Sequence, residues 1–348
     1  MYMLLIVVIM LMYFIAQNQP APVRQKLSTR FAYCICIMLV LLAAFRADSV
    51  GADTVRYRAD YLSMGMYRSL DGLIDRYTEF YMGYFVPSKI FHHLGFSVQV
   101  WFGFVEAFYL YALMKLINMF SKDKIFSLLV FTTIGLWGFS MAGLKQTFAM
   151  AMMMLAFVAF MKKRYYLTAL WTVLVFFTHQ SALVGLAFIP LYYLRKSKWF
   201  IPITIICCVL IYLYSYTLME TMAGMLDNEH WGTYLTKESN YTYTTFIFYT
   251  VITVIAYLNF KGYRKADPNF ARYFMGLSTL ACGLQLLAGV SPSLFRLAYL
   301  YSPFMMIVLP NTAYYSSPKN KSLLKFALMG CIIFYFLYAS SDNPYEFY

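Results

Sequence analysis

Charge is scarce in this sequence of 348 residues. Asp, Glu, Lys and Arg together make up 12% of it, about half of the roughly 25% found in soluble domains, which excludes a water-soluble enzyme. Cysteine is present without pattern. Cys34, Cys36, Cys207, Cys208, Cys282 and Cys331 all fall inside apolar runs, lack metal-ligand spacing, and read as small lipid-phase residues rather than disulfides or ligands. There is no Asp-x-Asp motif, no internal repeat, no low-complexity segment and no linker, so a single polytopic domain over 1–348 is expected. What is abundant is apolar and aromatic: 61% hydrophobic residues, with 33 Tyr and 32 Phe, a usage suited to chains that meet lipid headgroups. The formal charge of +13 does not point to nucleic acid, because the basic residues are spread in short groups between apolar runs instead of gathering on one soluble face.

A bilayer-spanning helix needs about 20 mostly apolar residues, somewhat fewer where its end lies in a protein-lined cavity. The pattern predicts an all-α integral membrane protein with about twelve such segments, near 1–16, 31–45, 98–116, 125–139, 143–161, 165–178, 181–194, 199–217, 244–260, 270–288, 294–312 and 323–339. The first lacks a basic n-region and a small-residue cleavage site and reads as an uncleaved helix. Alternate connections hold sixteen basic residues, among them Arg24, Lys122, Lys162, Arg195, Lys261 and Lys319, against two acids, Asp123 and Asp267. The other connections are balanced or acidic; 218–243 carries Glu220, Asp227, Glu229 and Glu238 with only Lys237. Lys and Arg concentrate in short cytoplasmic loops, so both termini and the longest loop, 46–97, are expected outside. That loop exceeds the roughly 15 residues usual for structureless connections. Its Tyr57, Tyr61, Met64, Leu70, Leu73 and Tyr77 recur at near-helical spacing among charged residues, which predicts one or two amphipathic helices on the outer leaflet. Over 80–96, Pro87 with His92 and His93 argues against a plain span.

A charge inside a membrane helix costs at least roughly 2.5–3.5 kcal/mol at mid-bilayer and is a functional hypothesis by default. Arg46 ends the second predicted span, Lys145 opens the fifth and Arg296 lies in the first turn of the eleventh. His179 joins the sixth and seventh, whose 30 residues (165–194) allow only about 22 Å per crossing. The hairpin tip is therefore expected at the floor of an outward-facing pocket. All four fall on the side of the long loop, whereas the inner halves of the helices are nearly free of ionisable groups, Glu106 excepted. Three cations need an anion beyond what Asp48, Asp53 and Glu79 supply, and a phosphate-bearing lipid headgroup meets that need.

Several short stretches now carry a family resemblance. Ala44-Phe45-Arg46, then Val50-Gly51-Ala52-Asp53-Thr54 and Tyr57, resemble the signature after the second span of the EpsG family of exopolysaccharide and O-antigen polymerases, relatives of the Wzy enzymes. Glu79 resembles the family's acidic residue ahead of the next hydrophobic segment. Lys145-Gln146 resembles its Arg-Gln pair with Lys in place of Arg. His179-Gln180-Ser181 resembles its hairpin His, and Arg296 with Tyr299 its late Arg and Tyr. The resemblance runs from about 45 to 310. It implies a fold of the glycosyltransferase-C type and a bacterial cytoplasmic-membrane enzyme that joins oligosaccharide repeat units carried on undecaprenyl pyrophosphate, on the outer face. It also implies possible pathway partners in a flippase and a chain-length regulator.

The residue chemistry suits that reaction. Diphosphate is a good leaving group that needs charge stabilisation, a role open to Arg46, Lys145 and Arg296. An acceptor hydroxyl needs a base, for which His179 and Asp53 are candidates. Gln146, Glu79, Tyr57 and Tyr299 are candidate substrate contacts, and no metal or cofactor is expected. Plainer readings stand beside these: Asp53 as a helix cap, Arg46, Lys145 and Arg296 as snorkelling headgroup contacts, and His179 as a satisfied turn residue. An O-antigen ligase-like enzyme would share the outward cationic pocket. A flippase or transporter would instead show ionisable residues through the membrane depth and an internal repeat, and neither is visible.

Overall fold

The long apolar runs leave backbone polar groups no water to bond, and the helix is the local structure that satisfies them within the segment. Helix termini follow the capping chemistry written beside them. Asp123 and Asp267 each turn a carboxylate oxygen onto the backbone N–H three residues on, and Ser69 does the same with its hydroxyl. The computed structural model describes residues 1–217, 243–289, 294–340 and 345–347. Among these residues the regular structure is helical, apart from one antiparallel bridge between Arg46 and Phe347. The acid-rich connection at 218–242 and the Ser291-Pro292-Ser293 approach to Arg296 lie outside the described residues.

Two compact units are present, 1–186 with 332–348 and 187–331. The first contains α1 (Tyr2–Gln17), α2 (Ala21–Ala44), α3 (Thr54–Leu62), α4 (Leu70–Tyr77), α5 (Met82–His93) and α6 (Val98–Phe120). It continues through α7 (Lys124–Thr133), α8 (Leu136–Ala142), α9 (Leu144–Met161) and α10 (Tyr165–Phe176). Helix α9 is the core of this unit. It is apolar all round and buried along nearly its whole length, packed between α6 and α10. Helix α2 leaves most of its apolar surface outward, as a lipid-facing helix does.

The second unit contains α11 (Phe188–Leu194), α12 (Phe200–Leu213), α13 (Thr244–Leu258), α14 (Lys261–Ala266), α15 (Pro268–Leu284) and α16 (Met305–Tyr315). The last helix, α17 (Pro318–Ala339), begins in this unit and ends in the first. Its core is α15, which crosses α12 closely because Gly276 and Gly283 face Phe200 and Cys208. A Cβ at these glycines would lie 2.1 Å and 2.4 Å from those side chains. Small residues that let helix backbones approach are the usual device of membrane interfaces.

Among the described residues four helices, α2, α6, α9 and α17, are long and apolar enough to cross a membrane, and α7 with α8 makes a fifth if that bent pair is one span. The pair, which covers the segment expected as one span over 125–139, bends by 55° at Gly135, which takes a left-handed φ of 88°. Other predicted segments are partly 3₁₀: Gln180–Ala187 before α11, Gln285–Gly289 after α15, and Leu294–Leu300 and Ser302–Phe304 before α16. Between α2 and α6, residues 46–97 fold as α3, α4, α5 and two short 3₁₀ turns, with Tyr57, Tyr61, Met64 and Leu73 buried.

Candidate functional site

Helix α2 ends at Ala44 and the chain turns through Arg46, which is fully buried. Its guanidinium donates through Nη1 to the Ala43 carbonyl, through Nη2 to Met141 O at 3.1 Å and through Nε to Thr54 Oγ1 at 3.4 Å. The Phe102 ring lies 4.4 Å from Cζ. Thr54 passes its own hydroxyl hydrogen to Val50 O at 2.6 Å. The guanidinium stays charged at neutral pH, as arginine does in proteins. The planar fork thus ties together the end of α2, the end of α8 and the start of α3.

Residues near the C-terminal end of the sequence, which the sequence reading did not single out, hold the same turn. Ala47 N donates to Glu346 O at 2.9 Å, Ser49 Oγ to Glu346 Oε2 at 2.6 Å, and the Tyr345 hydroxyl to Leu42 O. Tyr345 also lies parallel to Trp137 at 6.5 Å. Asp48 pairs with Arg58 at 2.6 Å. Asp53 occupies the N-cap position of α3, yet its side chain makes no capping hydrogen bond. The plain capping reading of this carboxylate is therefore not the one realised.

Lys145, the second residue of α9, extends into an aromatic box. Its Nζ lies 4.4 Å from the Tyr81 ring centroid, 5.4 Å from Phe85 and 6.0 Å from Tyr57, all within cation–π range. Tyr57 comes from α3, Tyr81 from the 3₁₀ turn Glu79–Tyr81 and Phe85 from α5. Phe85 is backed by Tyr77, stacked at 3.8 Å, whose hydroxyl donates to Asp60 Oδ1 at 3.0 Å. Burial and the nearby Asp60 hold that phenol above its ordinary pKa.

The far edge of the box is His179. Its ring meets Tyr81 at 5.9 Å and 62°, and its Nδ1 lies 2.8 Å from Ser181 Oγ. Tyr57, Lys145 and His179 are thus brought to one place around Tyr81, a residue the sequence reading missed. Gln146 is buried one position after Lys145, while Glu79 is exposed at the start of the turn that carries Tyr81. Arg296 and Tyr299 share the 3₁₀ helix Leu294–Leu300 of the second unit. Three residues apart at three per turn, they stand on one side of it. Among the described residues no three His, Cys, Asp or Glu side chains gather as a metal site.

Long apolar helices, a core helix buried on every side and a cationic aromatic box define a polytopic α-helical membrane protein. The chain belongs to the EpsG family, whose profile matches residues 29–348, and this family comprises exopolysaccharide and O-antigen polymerase-type proteins. No curated protein and no solved structure matches it.

Proposed function

We propose that this protein polymerises oligosaccharide repeat units carried on undecaprenyl pyrophosphate, on the outer face of the bacterial cytoplasmic membrane. The observation that carries the reading is the Lys145, Tyr81 and His179 cluster in a chain of this family: a cation at 4.4 Å and a candidate base at 5.9 Å from the same sugar-compatible aromatic ring. The acceptor sugar hydroxyl attacks the anomeric carbon of the growing chain. The new glycosidic bond forms as the bond to the carrier diphosphate breaks, and the hydroxyl proton passes to His179 or Asp53. Lys145 stabilises charge on the departing diphosphate, with a side-chain cation in the role a metal takes elsewhere. Arg46, spent on protein acceptors, serves by holding the 47–53 turn that presents Asp53 and Tyr57. Gln146, Glu79 and Tyr57 contact substrate.

This reading includes twelve crossings, a glycosyltransferase-C-type fold and an outward site. The 12 residues of α10 rise about 18 Å, short of a roughly 30 Å hydrocarbon core, a length that supports a position for His179 beneath the outer surface. Deleting the gene tests the function: single repeat units should accumulate on the lipid carrier and long polymer should vanish. Unaltered long polymer contradicts it, and normal polymer that is no longer transferred to its final acceptor favours a ligase.

A further inference from the structure

Tyr81 lies between the two groups to which the proposed chemistry assigns the most work. The Lys145 ammonium lies over its ring at 4.4 Å, and the ring meets the His179 imidazole in an edge-type contact with centroids 5.9 Å apart and planes at 62°. Three further contacts hold the ring there by docking residues 80–83 onto 176–178. Phe80 packs edge-on against Phe176 at 5.7 Å, Gly83 N donates to Phe177 O at 2.7 Å, and Gly83 approaches Thr178 so closely that a Cβ would lie 2.1 Å from its Oγ1. The turn is entered through Thr78, a β-branched residue with φ 64° and ψ 155°. Backbone in that region is strained and persists only where surrounding contacts over-determine it. The strained turn, the glycine contact and the paired rings all act to place one side chain.

We propose that Tyr81 is a positioning residue, whose ring fixes the Lys145 ammonium over it and the His179 imidazole against it in one shared geometry. The aromatic ring, not the hydroxyl, performs this role. The catalytic part of the inference rests on the polymerase reading; the placement of Lys145 and His179 does not.

The experiment uses the full chain in lipid nanodiscs with two readouts. In the first, Lys145 is acylated with an amine-directed reagent and His179 is carbethoxylated, both followed by peptide mass spectrometry. Tyr81→Leu should speed acylation of Lys145 at least about threefold, as expected when a cation–π contact is lost, and should change the His179 rate, whereas Tyr81→Phe should leave both near the unsubstituted values. Unchanged labelling in Tyr81→Leu overturns the proposal, whatever the protein's activity. The second readout is turnover of a lipid-linked repeat unit. Tyr81→Leu should lower kcat about 10- to 100-fold, the scale of a small misplacement of a reacting group, while Tyr81→Phe restores most of it. In a Lys145→Ala background Tyr81→Leu should cost less than about twofold more, because coupled residues are not additive. Fully multiplicative losses would show a merely structural role and overturn the catalytic part. No turnover by the unsubstituted chain alongside altered labelling would dismiss the polymerase reading and leave the positioning of Lys145 and His179 standing.

Discussion

Arg46 and Lys145 look alike in the sequence, each a lone cation at the end of an apolar run, and they do different things. Arg46 spends its donors on Ala43, Met141 and Thr54, whereas Lys145 faces three rings. Hydropathy marks both as costly and therefore worth explaining, but backbone carbonyl acceptors leave no trace in sequence, so the clamp made by Arg46 was not legible. Tyr57, Lys145 and His179 were legible as candidates through their motifs. Tyr81 was not, being one of 33 tyrosines without a pattern of its own. Replacing Arg46 by Lys should lower unfolding stability in detergent by about 2–4 kcal/mol, since a buried carbonyl left without a donor costs roughly 1–3 kcal/mol and an ammonium cannot reach both carbonyls and the hydroxyl. Thermal unfolding measures this, and a variant as stable as the parent would remove the clamp from the account.

Among the elements, uninterrupted apolar runs were easiest to read. Helix α9 was expected over 143–161 and runs Leu144–Met161; α6, expected over 98–116, runs Val98–Phe120. Apolar runs that tighten into 3₁₀ structure before α11, after α15 and before α16 look like continuous spans in the sequence, because hydropathy does not report whether a backbone bonds three or four residues back. Docking of the 80–83 turn onto 176–178 was also invisible, since it depends on a missing Cβ at Gly83 rather than on any polar motif. Gly83→Ala should force Thr178 and the 80–83 turn apart, because the added carbon would also lie 3.0 Å from Phe177 O. Polymer formation should fall at least about tenfold at undiminished protein level in the membrane, the scale of a misplaced catalytic group. Activity matching the parent, measured as chain-length distribution on gels, would show the contact to be incidental.

For the whole molecule, membership of the EpsG family and the long apolar helices establish a membrane protein with a polysaccharide polymerase-type role. The proposed reaction depends on the sidedness expected from the alternating basic loops. Single cysteines at His179 and at Arg296, in a background cleared of native cysteine, should both react with a membrane-impermeant maleimide from outside, while cysteines at 162–164 should react only after permeabilisation. Reaction of His179→Cys and Arg296→Cys from opposite sides would contradict the proposed sidedness. The most direct measurement supplies the purified, full-length protein in nanodiscs with repeat units linked to undecaprenyl pyrophosphate and follows products by mass spectrometry. The account predicts a ladder of carrier-linked oligomers with release of free undecaprenyl pyrophosphate, abolished by His179→Ala. Unextended repeat units after prolonged incubation, or a ladder that persists undiminished in His179→Ala, would contradict it.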